Sequence, residues 1–297
     1  MSMTAGTKAR LFDNDRLTKW VLIAPLVLFL LAFMVYPTLY SLYMSFTDYV
    51  MKGDPGFVGL DNYRYILAER EFWAALRRTL YVLFWCIVIE LTLGMALALL
   101  LNRDFRGQGI VRGLCFIPLL VSPLSMSLMW NYMLHIQFGV VNTVLGWVGI
   151  EPVAFLSSAG NALNTIVFMT VWQWLPFSVF VLLAGLKGMP RDQFEAAQID
   201  GASSWRTFFK LTLPMLKPLI IIIVLLRTMW LMRLFDPLYG TTRGGLDTEL
   251  LDWMIYRVSF VFFDIGQGSA YALFALYITL IVGALMFKQL IKAMSGH

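Results

Sequence analysis

Few side chains in this sequence are equipped for chemistry, and most of those stand in apolar surroundings. There are two histidines, His135 and His297, and two cysteines, Cys86 and Cys115. Neither type gathers with carboxylates at the spacing of a metal site. Both cysteines fall inside apolar runs and read as buried thiols rather than a disulfide. No Gly-x-x-x-x-Gly-Lys-Ser/Thr stretch cradles nucleotide phosphates, and no Gly-x-Ser-x-Gly turn presents a nucleophile. Recognition remains. Glu90, Arg227, Arg233 and Asp236 lie in or beside apolar runs, where a charge costs about 2.5–3.5 kcal/mol to insert and so faces a partner or a path. Arg227, Trp230, Arg233 and Pro237 recur at three- and four-residue spacing, which is one helical face. Trp130-Asn131 with His135, and Trp172-Gln173-Trp174, combine flat aromatic surfaces with hydrogen-bonding groups, the mixture that holds a polyhydroxylated ring.

Each of these has a structural reading beside the functional one. Tryptophan gathers at membrane interfaces, Asn131 and Gln173 suit interhelical hydrogen bonds, and His135 suits a satisfied interfacial position. The arginines suit ion pairs with Glu90 or Asp236. Two sharper readings stay open: Arg227 and Arg233 meeting an anionic group on a ligand, and Glu90 relaying a proton or sodium ion.

The elements that must position these residues are read from hydropathy. Apolar residues make up 59% of the chain and charged residues 14%, with mean hydropathy +0.73, whereas a soluble domain carries about a quarter charged residues. A membrane-crossing helix needs about 20 apolar residues. Six spans are expected, at about 20–46, 79–101, 113–134, 161–186, 218–236 and 265–288, within a membrane domain of residues 20–291. Gly139, Gly146, Gly149 and Pro152 mark an interfacial connection between the third and fourth spans, with room for a further segment in 135–160. Residues 1–19 form a polar leading segment and 292–297 a tail. The first apolar run is too long for the core of a cleavable signal.

Orientation is read from Lys and Arg in the short loops. Lys8, Arg10, Arg16, Lys19, Arg103, Arg106, Arg112, Lys187, Arg191, Arg206, Lys210, Lys217, Lys288 and Lys292 lie on one side. They outnumber Lys52, Arg64, Arg70, Arg77, Arg78, Arg243 and Arg257 on the other. The first set, with both termini, is expected in the cytoplasm. This asymmetry accounts for the net charge of +5 without a nucleic-acid partner.

The longest loop on that side, residues 187–217, reads as two short helices joined at a glycine. Pro190 suits a first helical turn, Gly201 a left-handed helix end, and Ser203 or Ser204 an N-cap. Trp205, Phe208, Phe209 and Thr212 supply the apolar face of the second helix. The loop contains Glu195-Ala196-Ala197, then Asp200-Gly201, then Leu211-Thr-Leu213-Pro214. This resembles the signature of permease subunits of binding-protein-dependent ABC importers, departing from it only in Leu211, where isoleucine is usual. Asp200-Gly-Ala-Ser203, Phe57-Val-Gly59-Leu-Asp-Asn62-Tyr63, Pro37 and Ser45-Phe46 are similar to carbohydrate permeases of the maltose and glycerol-phosphate type, first member of the pair.

The resemblance implies an all-α, six-span transmembrane domain of the ABC-importer kind in a bacterial inner membrane, with cytoplasmic coupling helices. Glu195, Ala196, Ala197, Asp200, Gly201, Leu213 and Pro214 are expected to contact an ATPase. It implies a heterodimer with a second permease, two ATPase copies that use ATP and Mg, an external binding protein, and a sugar or polyol as cargo. The chain itself is expected to bind no cofactor and catalyse no reaction.

Overall fold

A computed structural model describes residues 15–295; Lys8, Arg10 and His297, and with them most of the leading segment, lie outside these. The described residues are almost wholly helical, with no strand beyond the isolated bridges Thr47–Phe57 and Val50–Asp264. The helices are α1 (Asp15–Leu30), α2 (Tyr36–Met44), α3 (Asp61–Ala68), α4 (Arg70–Leu101), α5 (Gln108–Leu120), α6 (Pro123–Met133) and α7 (Val140–Trp147). They continue with α8 (Ala159–Lys187), α9 (Arg191–Ile199), α10 (Ser204–Thr207), α11 (Leu213–Leu231), α12 (Asp236–Tyr239), α13 (Leu251–Tyr256) and α14 (Ile265–Ser295). Among the described residues five helical runs are long and apolar enough to cross a membrane, Lys19–Met44, Arg70–Leu101, Ala159–Lys187, Ser204–Leu231 and Ile265–Lys292, and six if the bent pair α5–α6 is one span.

The chain divides into two units. The first comprises residues up to Tyr65 together with Val258–Leu273. Its long helix joins α1 to α2 through a π-turn, Leu31–Val35, where Pro37 removes a backbone donor one turn on. The apolar run of this helix is exposed nearly throughout. Past α2 the backbone is pinned by side chains: Asn62 Nδ2 donates to the carbonyls of Ser45 (2.9 Å) and Thr47 (2.8 Å), and Tyr63 Oη meets Ser45 Oγ at 2.7 Å. The Phe57–Tyr63 and Ser45-Phe46 stretches are therefore two halves of one local lock.

The second unit is Ile66–Arg257 with Phe274 onward. Its centre is α4 against α8. Phe72, Ala75, Thr79, Val82, Cys86, Glu90, Gly94, Ala98 and Leu101 form the buried stripe of α4, at the three- and four-residue spacing of one helix face. Val82 and Cys86 pack on Ile166, Val167 and Val171; Ala98 and Leu101 pack on Val179, Leu182 and Leu186. Two glycines permit the closest approaches. A Cβ on Gly94 would stand 3.1 Å from Ser178 Cβ, and one on Gly185 would collide with Leu216 and Leu219 of α11.

Three expected spans differ in detail. The third, expected at about 113–134, is made of α5 and α6 bent by 98°. Pro118 and Pro123 each lack a donor, and the residue before a proline is pushed out of the helical region; Val121 (ψ 131°) and Ser122 (ψ 138°) are extended there. The second span begins nine residues before the expected Thr79, because the charges of its first turns have partners: Glu71 with Arg257 and Arg78 with Asp247. The fifth ends at Leu231 rather than 236. Pro237 cannot donate to the carbonyl one turn back and its ring crowds that carbonyl, so α11 cannot run on to α12. Residues 135–160 hold only the short α7, tied down by Asn142, whose Nδ2 donates to Val153 O (3.1 Å) and whose Oδ1 accepts from Val153 N–H (2.8 Å).

Candidate functional site

Two places in the second unit carry the residues of interest. The first is α9 with the turn and helices that lead from it into α11. Pro190 is extended and precedes α9. The helix ends in a Schellman turn: Ala202 N–H bonds Ala197 O (2.9 Å) and Gly201 N–H bonds Gln198 O (3.0 Å), with Gly201 at φ +73°, a conformation natural to glycine. Of the two candidate serine caps, Ser203 is the one used; its Oγ accepts from Arg206 N–H. From Ser203 the chain runs through α10 and a π-turn, Phe208–Thr212, into α11 without a break. α9 is thus fastened to α8 by three residues and to α11 by a capped turn.

This hairpin leaves Glu195, Ala196, Asp200 and Gly201 exposed, Ala197 half-buried, and Ile199 87% exposed. Leu213 is half-buried and Pro214 exposed. Trp205 and Phe209 stack with centroids 5.4 Å apart and planes 6° apart, both outward, whereas Thr212 is buried. A cavity of about 760 Å³ separates the hairpin from α4, lined by Met95, Leu99, Asn102, Phe194, Trp205 and Phe208 among others. The exposed surface is mixed: polar at Glu195, Gln198 and Asp200, small at Ala196, and apolar at Ile199, Trp205 and Phe209.

The second place lies midway along α4 and α8 and in the last turns of α11. Arg227, 1% exposed, donates from Nε to Glu90 Oε2 and from Nη2 to Glu90 Oε1, both at 2.6 Å, and Glu90 is wholly buried. This fork geometry is the strong form of the ion pair. The guanidinium carbon stands 4.9 Å from the Trp174 ring centroid and 6.0 Å from that of Trp230. The two indoles are 4.6 Å apart, and Phe177 meets Trp230 at 5.3 Å. Trp230 remains 39% exposed. Phe177 is not among the residues the sequence points to; its signal is the three-residue spacing from Trp174.

The other predicted path residues are not brought to this cluster. Arg233 lies in the turn that follows α11, exposed, its N–H bonding Trp230 O at 3.1 Å, and it forms no ion pair with half-buried Asp236. Burial pushes the Asp252 carboxyl above its ordinary range; Arg233 opposes that push and Asp236 adds to it. Gln173 is buried and donates to Val121 O (2.8 Å), closing the break between α5 and α6. Asn131 donates to Gly240 O (3.1 Å). Trp130 packs edge-on to Phe168 and Trp172, and His135 stacks on Phe138 while its Nδ1 accepts from Gln137 N–H. All four make contacts within the chain. No group of three or more metal-ligating side chains occurs among the described residues.

A profile of the family described as "Binding-protein-dependent transport system inner membrane component" matches residues 90–294, from the buried glutamate to the end of α14. The chain belongs to that family. The permease is 34% identical over 267 residues to the trehalose/maltose transport system permease protein MalF of Thermococcus litoralis, a match covering 88% of this chain and 89% of that one. It is also 34% identical over 280 residues to the sulfoquinovosyl glycerol transport system permease protein SmoG of Agrobacterium fabrum, covering 93% and 91%. Its fold is that of a chain in the crystal structure of a bacterial alginate ABC transporter with a pentasaccharide-bound periplasmic protein, with TM-score 0.80 over 93% of this chain and 95% of that one at 21% identity.

The permease is therefore a multi-pass membrane subunit of an ABC importer that works with a binding protein, and ATP hydrolysis belongs to a separate ATPase subunit. The ion-coupled reading of Glu90 is displaced on two grounds. The family is driven otherwise, and both Glu90 oxygens are taken by Arg227.

Proposed function

We propose that the permease forms half of the membrane path for a sugar, pairing with a second permease and two ATPase copies that bind ATP and Mg, and receiving cargo from an external binding protein. Both termini and the α9–α10 hairpin face the cytoplasm in this reading, as the Lys and Arg distribution favours. The single observation that carries it is the hairpin itself: an exposed Glu195-Ala196 surface fastened rigidly to α8 on one side and α11 on the other. An ATPase seated on it moves both spans together, which is how a rigid-body switch alternates access. Small Ala196 and Ala197 admit close approach; Gly201, Leu213 and Pro214 fix the hairpin; Glu195 and Asp200 supply polar contacts.

For cargo, the outward-lying Trp230 with Trp174 behind it offers an aromatic platform for a sugar ring. Relatives named for trehalose/maltose and for a sulfonated glycoside agree on a glycoside while differing in charge. A neutral cargo fits better, because Glu90 offsets the charge of Arg227 in a two-point pair. The exposed first span, Lys19–Met44, suits lipid and the second permease.

The test is uptake by the complete complex in proteoliposomes, offering trehalose, maltose and sulfoquinovosyl glycerol in turn. Ala196→Arg is expected to abolish ATP-driven uptake while the permease still assembles in the membrane. Trp230→Ala is expected to raise KM for the transported sugar. Full uptake with Ala196→Arg contradicts the docking role; preference for the sulfonated glycoside that falls with Arg233→Gln overturns the neutral reading.

A further inference from the structure

We propose that Glu90 and Arg227 are positioning residues for cargo: the buried pair holds the Trp174–Trp230 platform in the orientation that receives a sugar ring. This rests on the reading of those tryptophans as the cargo contact.

The geometry leads there by steps. Arg227 sits within α11 and Glu90 within α4, and both guanidinium donors used in the fork are committed to both carboxylate oxygens at 2.6 Å. A planar guanidinium held at two points has little rotational freedom left. Its broad surface then faces Trp174 of α8 at 4.9 Å and Trp230 of its own helix at 6.0 Å. A cation against an indole face attracts it, so one side chain fixed by α4 restrains rings carried by α8 and α11. Trp174 is half-buried and Trp230 is 39% exposed, so the platform opens chiefly at Trp230 and has a charged back that solvent does not reach.

A pair that merely fastened three helices would need none of this alignment. The functional consequence differs too. A platform whose rotamers are set before cargo arrives loses less freedom on binding, so the pair acts on KM. It also cancels its own charge, leaving the platform backed by an aligned dipole rather than a free cation, which accounts for an aromatic rather than an ionic mode of recognition.

The double substitution Glu90→Leu/Arg227→Met tests this, since an apolar pair of similar volume often replaces a buried ion pair without loss of fold. The reconstituted complex would carry 5-fluorotryptophan, with the Trp230 resonance assigned by Trp230→Phe, and uptake of radiolabelled trehalose would be monitored in parallel. The expected result is a shifted or broadened Trp230 fluorine signal and a KM raised about tenfold with the maximal rate retained. Arg227→Lys, which keeps the charge but not the fork, is expected to do the same, and serves if the double variant fails to assemble. An unmoved Trp230 signal with unchanged KM in an assembled variant overturns the proposal. Trp174→Ala and Trp230→Ala separate it from its premise. If they leave KM unchanged, the cargo-contact reading falls; if they raise KM and the pair variants do not, the positioning role alone falls.

Discussion

At the scale of single residues, the Glu90–Arg227 pair is the most deeply buried ion pair among the described residues. Removing one partner leaves the other buried and uncompensated, at a cost of about 3–5 kcal/mol. Arg227→Met alone is therefore expected to lower the unfolding midpoint of the purified permease sharply, and Glu90→Leu in the same chain to restore most of it; equal losses in the single and double variants would argue against the pair. A second residue-scale expectation concerns the acidic segment after α11. Burial raises Asp252 and Glu249 above the ordinary carboxylate range, against the pull of Arg233 and Arg257 respectively. An acid raised in the folded state binds its proton more tightly there than when unfolded, so stability falls as pH climbs through and above that range. Protection against hydrogen exchange across 236–257, expressed relative to the base-catalysed rate of an unstructured chain at the same pH, should be greater at about pH 5 than at about pH 8, and Arg233→Gln should widen the difference by removing the group that opposes the rise. Both Glu90 and Arg227 are visible in the sequence as misplaced charges. Their pairing across 137 positions needs the fold, because several carboxylates are available and periodicity within one helix says nothing about neighbours.

At the scale of elements, the α9–α11 hairpin is the part most legible in advance. Glycine and serine at their positions dictate a left-handed stop and a cap, and both are found there, whereas Pro190, expected in the first helical turn, is extended and stands just before it. Gly201→Ala places a side chain at φ +73°, costing about 1–2 kcal/mol; faster amide exchange over 191–202 and weakened ATP-driven uptake are expected, with the membrane-spanning helices unchanged. Gly185→Leu should do the opposite damage, forcing α8 from α11 and lowering overall stability without touching the hairpin's own turn. Less legible is the 98° break between α5 and α6. Hydropathy reports that 113–134 is apolar and not in which direction it runs, and only Pro118 and Pro123 hint at the turn that Gln173 then secures. The same blindness carries the fifth span past Leu231, where α11 in fact ends.

At the scale of the whole molecule, the composition alone specifies a helical membrane bundle, and the family places it in a binding-protein-dependent importer. The hairpin specifies an engine rather than a cargo, and the aromatic platform is where cargo preference is to be sought. The central claim, that transport is driven by ATP through the hairpin, is tested most directly by uptake into proteoliposomes holding the full complex. One set would contain ATP inside; the other would have an imposed proton or sodium gradient and no ATPase. The account predicts uptake only in the first, dependent on the binding protein and lost with Ala196→Arg. Uptake in the second, driven by the gradient alone, would contradict it.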